Sequence, residues 1–225
     1  IELGSPQRIE LHRHNILQVN SLAINHDEQR IAFVGLNSKG WANIYVLEFP
    51  SDLSDDTYKI DQITNEYYSW RTLAWASSET KNSSDVILAA SDRTPNKKYN
   101  IFSIDTHSRE TRQLTVSSSN QLAPEGSDQE FILQSLESGS PQVHQISLKN
   151  EIRITEAKTA LAYPKLRQNR LYVLGFKSGR YHLYQISKDR LLDKKIKHQP
   201  QTQIRHKPEP WKANHFPLEN LHVQK

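Results

Sequence analysis

The chain contains no cysteine. That excludes disulfides, thiolate nucleophiles and thiolate metal sites. It is compatible with an oxidising compartment without proving one. Methionine is missing as well, from 225 residues, and the chain opens on Ile1. These features read as a fragment of a longer protein, or as a sequence from which modified methionines have dropped out. No apolar run approaches the ~20 residues that a membrane-spanning helix needs. No signal peptide is visible, although one could have been removed. Neither sign of charge dominates: 29 Lys and Arg stand against 25 Asp and Glu, a net charge of +4. That balance permits an anionic partner without demanding one. A nucleic-acid binder would cluster its basic residues more densely, so nucleic acid is not the expected partner. Helical periodicity is nearly absent outside Asp189–Lys197.

What the sequence does contain is a repeat. The dipeptide Leu-Ala occurs at Leu22-Ala23, Leu73-Ala74, Leu122-Ala123 and Leu161-Ala162, roughly 40–50 residues apart. After each comes a polar turn and a short apolar run: Ile31–Leu36, Val86–Ser91, Phe131–Leu136 and Leu171–Phe176. Such runs, bounded by charges and turn formers, predict buried strands. A further strand follows in each unit, at Asn43–Phe49, Asn100–Asp105, Gln142–Ser147 and His182–Ser187. A last strand closes three units at Lys59–Thr64, Thr111–Thr115 and Glu151–Thr155, with a weaker counterpart around Leu191–Lys197. Phe49–Thr57, rich in turn formers, lengthens the first unit.

Four short strands per unit, here lettered a to d, predict an all-β fold: a β-propeller of four-stranded antiparallel blades. The alternative is a β-sandwich whose strands are alike by accident. The expected blades are 19–67, 68–116, 117–157 and 158–197. Residues 1–18, with Arg8–His14, are expected to supply the d strand of an earlier blade. Residues 198–225 read as a basic, proline-containing tail or linker.

The segment Ile87–Val116 resembles the repeat of TolB-like propellers, through Ser91-Asp92-Arg93, Asn100-Ile101-Phe102 and Leu114-Thr115. Asn25–Gly35 stands where that family has Ser-Pro-Asp-Gly and a strand, with His26 and Glu28 in place of Pro and Gly. The last unit keeps Tyr163-Pro164, and the third is the most degenerate. The same repeat occurs in TolB itself, in the propellers of prolyl-oligopeptidase-type peptidases and in propellers fused to outer-membrane barrels. The resemblance implies a non-catalytic protein-interaction scaffold in the bacterial cell envelope, periplasmic or associated with the outer membrane, with a cytoplasmic location as the alternative. The other functional reading is the substrate-gating propeller of a serine peptidase whose catalytic domain lies elsewhere.

Catalytic signatures are weak. Gly175-Phe176-Lys177-Ser178-Gly179 places its serine at the fourth position, where a nucleophile elbow needs the third. His107-Ser108 falls in a c–d turn with no counterpart in the sister units. His12 and His14, two apart on an expected strand, could share a metal, but no third ligand is spaced to join them. No catalytic set, cofactor or metal is therefore expected. Lys194, Lys195, Lys197, Arg205, Lys207, Trp211 and Lys212 could meet phosphate or lipid headgroups, although such a stretch is more often a solvated linker.

One surface has a charge bias. In a propeller the b–c and d–a turns share a face. The b–c turns carry Lys39 and Trp41, then Arg93, Lys97 and Lys98, then Lys177, Arg180 and Tyr181, opposed only by Asp92 and Glu137. The other face has Asp27, Glu28, Asp52, Asp55, Asp56, Glu125 and Asp128, interrupted by Lys165 and Arg167. The basic face is the expected binding surface for a protein partner, acidic in character, with Trp41 and Tyr181 as anchors.

Overall fold

The computed structural model describes residues 9–49, 58–77, 85–147 and 150–195. The expected tail at 198–225 and the acidic residues Asp52, Asp55 and Asp56 lie outside them. All described sheets are antiparallel, and the consecutive strands of each blade form a meander. The first blade is β1 (Ile16–Ile24), β2 (Arg30–Asn37), β3 (Ala42–Glu48) and β4 (Lys59–Gln62). The second is β5 (Trp70–Trp75), β6 (Val86–Ser91), β7 (Asn100–Asp105) and β8 (Thr111–Gln113). The third is β9 (Gln121–Gly126), β10 (Glu130–Ser135), β11 (Gln142–Ser147) and β12 (Asn150–Arg153). The fourth has β13 (Leu161–Arg167), β14 (Arg170–Lys177) and β15 (Arg180–Ser187). The a strands β1, β5, β9 and β13 pack on one another in that order.

In blades 1 to 3 the b and c strands read as near-continuous apolar runs because both faces of their sheets are covered. β6 and β7 are buried along almost their whole length. One face of blade 1 gives Val34, Ile44 and Val46 to a core shared with Trp70, Trp75 and Phe102 of blade 2. The next core joins Leu88 and Ile101 of blade 2 to Phe131, Leu133 and Ile146 of blade 3. A third joins Ile132 and Val143 to Leu161, Leu171 and Val173 of blade 4. Each interface thus removes apolar surface from water on both partners.

A polar latch recurs where each d strand ends. Thr64 Oγ1 accepts from the Ile44 amide at 2.9 Å and donates to Asn43 Oδ1 at 3.1 Å. Thr115 with Ile101 and Asn100, and Thr155 with Val143 and Gln142, repeat it. The same Asn or Gln oxygen accepts from the amide of Glu66, Ser117 or Ala157 in the following turn. This is why the repeat needs an amide side chain on c and a threonine after d: otherwise buried polar groups would be left unpaired.

Two expectations about strands are corrected. Leu11–His14 form a 3-10 turn closed by Asn15 at φ 60, not the strand of an earlier blade. Ile9 and Leu11 pack beside Phe33, Tyr45 and Leu47 on the outer face of blade 1, and that apolar anchoring bends the chain. His12 and His14 therefore project from a turn, exposed to solvent. At the other end, Lys194–Lys195 form β16 on the outer edge of blade 3, beside β12, rather than the d strand of blade 4. Leu191 packs into the core between blades 3 and 4, and the Leu192 amide donates to Ile154 O at 2.9 Å, drawing the chain back.

Candidate protein-interaction face

The b–c turns are built by local hydrogen bonding. Asn37 Oδ1 accepts from the amides of Lys39 and Trp41, both at 3.0 Å, and Gly40 supplies the positive φ of 77° that the turn requires. Lys39 Nζ then lies 5.1 Å from the centre of the Trp41 ring, within cation–π range. In blade 4, Ser178 and Gly179 both have φ > 0 and make a tight two-residue hairpin that pairs Lys177 with Arg180. Tyr181 is 72% exposed and meets Phe176 edge to face at 5.2 Å.

The turn of blade 2 is tied to the preceding d–a turn. Asp92 Oδ1 accepts from the Ser69 amide at 2.7 Å. Arg93 is ion-paired with Glu66 at 3.0 Å, its side chain only 14% exposed, and lies over Tyr68. Arg93 thus holds two turns together, and its charge is already partnered. Burial pushes the Glu66 carboxyl up, while Arg93 pulls it down by less. Lys97 Nζ caps both Tyr68, at 4.9 Å, and Tyr67, at 5.6 Å. The Tyr67 and Tyr68 hydroxyls are 2.9 Å apart. That shared hydrogen bond and burial push the Tyr68 phenol up to about 12, so the ring under Lys97 stays uncharged through neutral pH. Lys98 is exposed, its carbonyl held by Thr94 Oγ1 at 2.8 Å.

Glu66, Tyr67 and Tyr68 were not singled out from sequence. They lie on a d–a turn, and the geometry of a propeller puts those turns on the same face as the b–c turns, which was the available signal. Inside this face, Asn20, Arg71, Leu122, Tyr163, Phe176 and Tyr181 line a cavity of about 770 Å³ among the a strands.

The opposite face is less acidic than its sequence implies. Glu125 is buried and accepts from both Lys165 and Arg167, so the two cations that break the trend are its partners. Asp128 is paired with Arg112 at 2.9 Å. The His107-Ser108 segment is a turn: Asp105 Oδ1 accepts from both their amides, at 2.9 and 2.7 Å. Ser178 sits in the β14–β15 hairpin, followed directly by a strand where a nucleophile elbow leads into a helix.

Antiparallel meander blades, packed face to face with their first strands innermost, define the class: the protein is a β-propeller. Its fold is that of TolB-like propellers. A TolB of Agrobacterium tumefaciens matches with a TM-score of 0.59 at 15% identity, over 76% of this chain and 62% of that one. TolB of Acinetobacter baumannii matches at 0.55 and 21% identity, over 79% and 43%. A puromycin hydrolase matches at 0.60 and 10% identity, over 83% and 30%. The chain therefore spans less than two thirds of each of these proteins. No protein-family model and no curated protein sequence matches it. Among the described residues, no helix is long and apolar enough to cross a membrane.

Proposed function

We propose that this propeller is a non-catalytic scaffold that binds a protein partner on the face of the b–c and d–a turns, in the bacterial envelope. The observation that carries the reading is the pairing of exposed cations with aromatic rings on that face: Lys39 with Trp41, and Lys97 with Tyr67 and Tyr68. Tyr181 adds an aromatic surface next to Arg180. Rigid aromatics ringed by positive charge suit an acidic protein surface, the rings giving buried area and the charges steering approach. The likeness to TolB agrees with a periplasmic or outer-membrane-associated setting. Capture of a partner from envelope extract, followed by Lys97→Glu and Arg180→Glu, tests this. Binding should weaken at least tenfold and lose most of its salt dependence. A partner indifferent to both substitutions and to salt would sink the proposal.

The second reading, a peptidase's gating propeller, is favoured by the cavity among the a strands, which could pass an extended peptide. A hydrolase domain with a G-x-S-x-G elbow in the same polypeptide would decide for it.

A further inference from the structure

Blade 3 departs from its neighbours at two positions that face blade 2. The c-strand residue that is Tyr45 in blade 1 and Phe102 in blade 2 is His144 in blade 3, as the shared register with Gln62, Gln113 and Arg153 shows. The d-strand residue that is Ile60 and Thr111 in the first two blades is Glu151, opposite Leu47, Ile104 and Ile146 respectively. His144 is 1% exposed, and its Nδ1 lies 2.6 Å from Glu151 Oε1. The fully buried Gln121 donates from Nε2 to the same oxygen at 3.2 Å. His144 Nε2 and Gln121 Oε1 have no hydrogen-bond partner among the described residues.

A third group joins them. Glu137, in the b–c turn of blade 3, brings a carboxylate oxygen to within 4.8 Å of the ligand atoms of both His144 and Glu151. His144 and Glu151 are buried, Glu137 is exposed, and the three bring one imidazole and two carboxyl groups to a single point. Nitrogen and carboxylate oxygens that converge on one point favour a cation. One nitrogen and two carboxylate oxygens suit Zn²⁺ or another first-row divalent ion, with ligand distances of about 2.0–2.2 Å. An ion held between them would take the place of the His144–Glu151 hydrogen bond.

We propose that Glu137, His144 and Glu151 form a binding site for a divalent transition-metal ion at the seam of blades 2 and 3. Gln121 orients Glu151, and the exposed Glu137 side opens the site to the b–c face. All three residues belong to blade 3, and the inference does not depend on the proposed function.

The test is titration of the chelator-treated chain with Zn²⁺, followed by calorimetry and by thermal unfolding, with Mg²⁺ as the hard-ion control. Zn²⁺ should bind one to one and raise Tm, and Mg²⁺ should do neither. Glu137→Gln changes only an exposed side chain and should weaken Zn²⁺ binding at least tenfold. His144→Phe, which installs the blade 2 residue, should abolish it. The exposed-turn variant His12→Ala/His14→Ala should bind as wild type. An unresponsive wild type, or equal binding by the wild type and Glu137→Gln, would overturn the proposal. Loss of binding in the His12/His14 variant alone would also overturn it, by placing the ion at the turn.

Discussion

The interface between blades 1 and 2 differs from that between blades 2 and 3, although the two share strand order and register. The first is apolar: Trp70 and Phe102 meet edge to face at 5.8 Å, among Ile44, Val46, Ile87 and Ile104. Its polar links lie at the rim, where Trp75 Nε1 donates to Ala23 O at 3.0 Å and Arg30 pairs with Asp85 at 2.8 Å. The second interface keeps Leu88, Ile101, Phe131 and Leu133, but embeds the His144–Glu151 pair beside them. The comparison teaches that blade 3, the most degenerate copy in sequence, has lost none of its strand frame. Where blade 2 has Phe102 and Thr111 it has the ionisable pair His144 and Glu151, whose burial costs desolvation that their mutual hydrogen bond must offset.

The largest effect should come from the apolar side. Trp70→Ala should lower stability by about 3–5 kcal/mol in denaturant unfolding, because it empties a large buried volume. On the polar side, Glu151→Ala in chelator should cost about 3 kcal/mol, since it strands a buried imidazole. The double variant His144→Phe/Glu151→Thr, which copies blade 2, should recover to within about 1 kcal/mol of wild type or exceed it. A double variant as unstable as the single would show that the two interfaces differ in shape and not only in polarity.

The latch sharpens the comparison from the other direction, because it is common to blades 1, 2 and 3. Thr64→Val, Thr115→Val and Thr155→Val should each cost about 1–3 kcal/mol, by leaving the buried amide of Ile44, Ile101 or Val143 unpaired. Unequal losses would mean that the polar pair of blade 3 has altered the latch beside it. The smallest effect lies at the outer rim. Hydrogen bonds from the Ser108 and His107 amides hold the half-buried Asp105 carboxyl below its ordinary 3.8, the Ser108 bond most of all. Its contribution is therefore present above that value and lost as pH falls through the lower folded one. Asp105→Asn should flatten that acid limb of stability in pH-dependent unfolding, with little change at neutral pH.

Much of the architecture was legible because each unit repeats the same local chemistry. Asn43, Asn100 and Gln142, and Thr64, Thr115 and Thr155, mark equivalent latch positions, and the short apolar runs became the b strands. Legibility failed where local pattern and tertiary packing diverged. Arg8–His14 resembles a d strand, yet its apolar residues serve better as a cover for Phe33 and Tyr45. Leu191–Lys197 occupies the right place in the order, yet Leu191 is worth more in the core beside Ile154. The basic face was visible in the b–c turns, but its middle was not. Tyr67 and Tyr68 reach Lys97 only because two turns from neighbouring blades meet.

By itself, then, the sequence determined the four-part repeat, the alternation of buried strands and polar turns, and the face on which each turn emerges. All of these depend on residues close together in the chain. The tertiary structure alone decided which charges are already partnered, as Arg93 is by Glu66 and Lys165 by Glu125, and which three side chains of blade 3 converge. Electrostatic pairing depends on separation in space, and the packing of one blade on the next sets that separation.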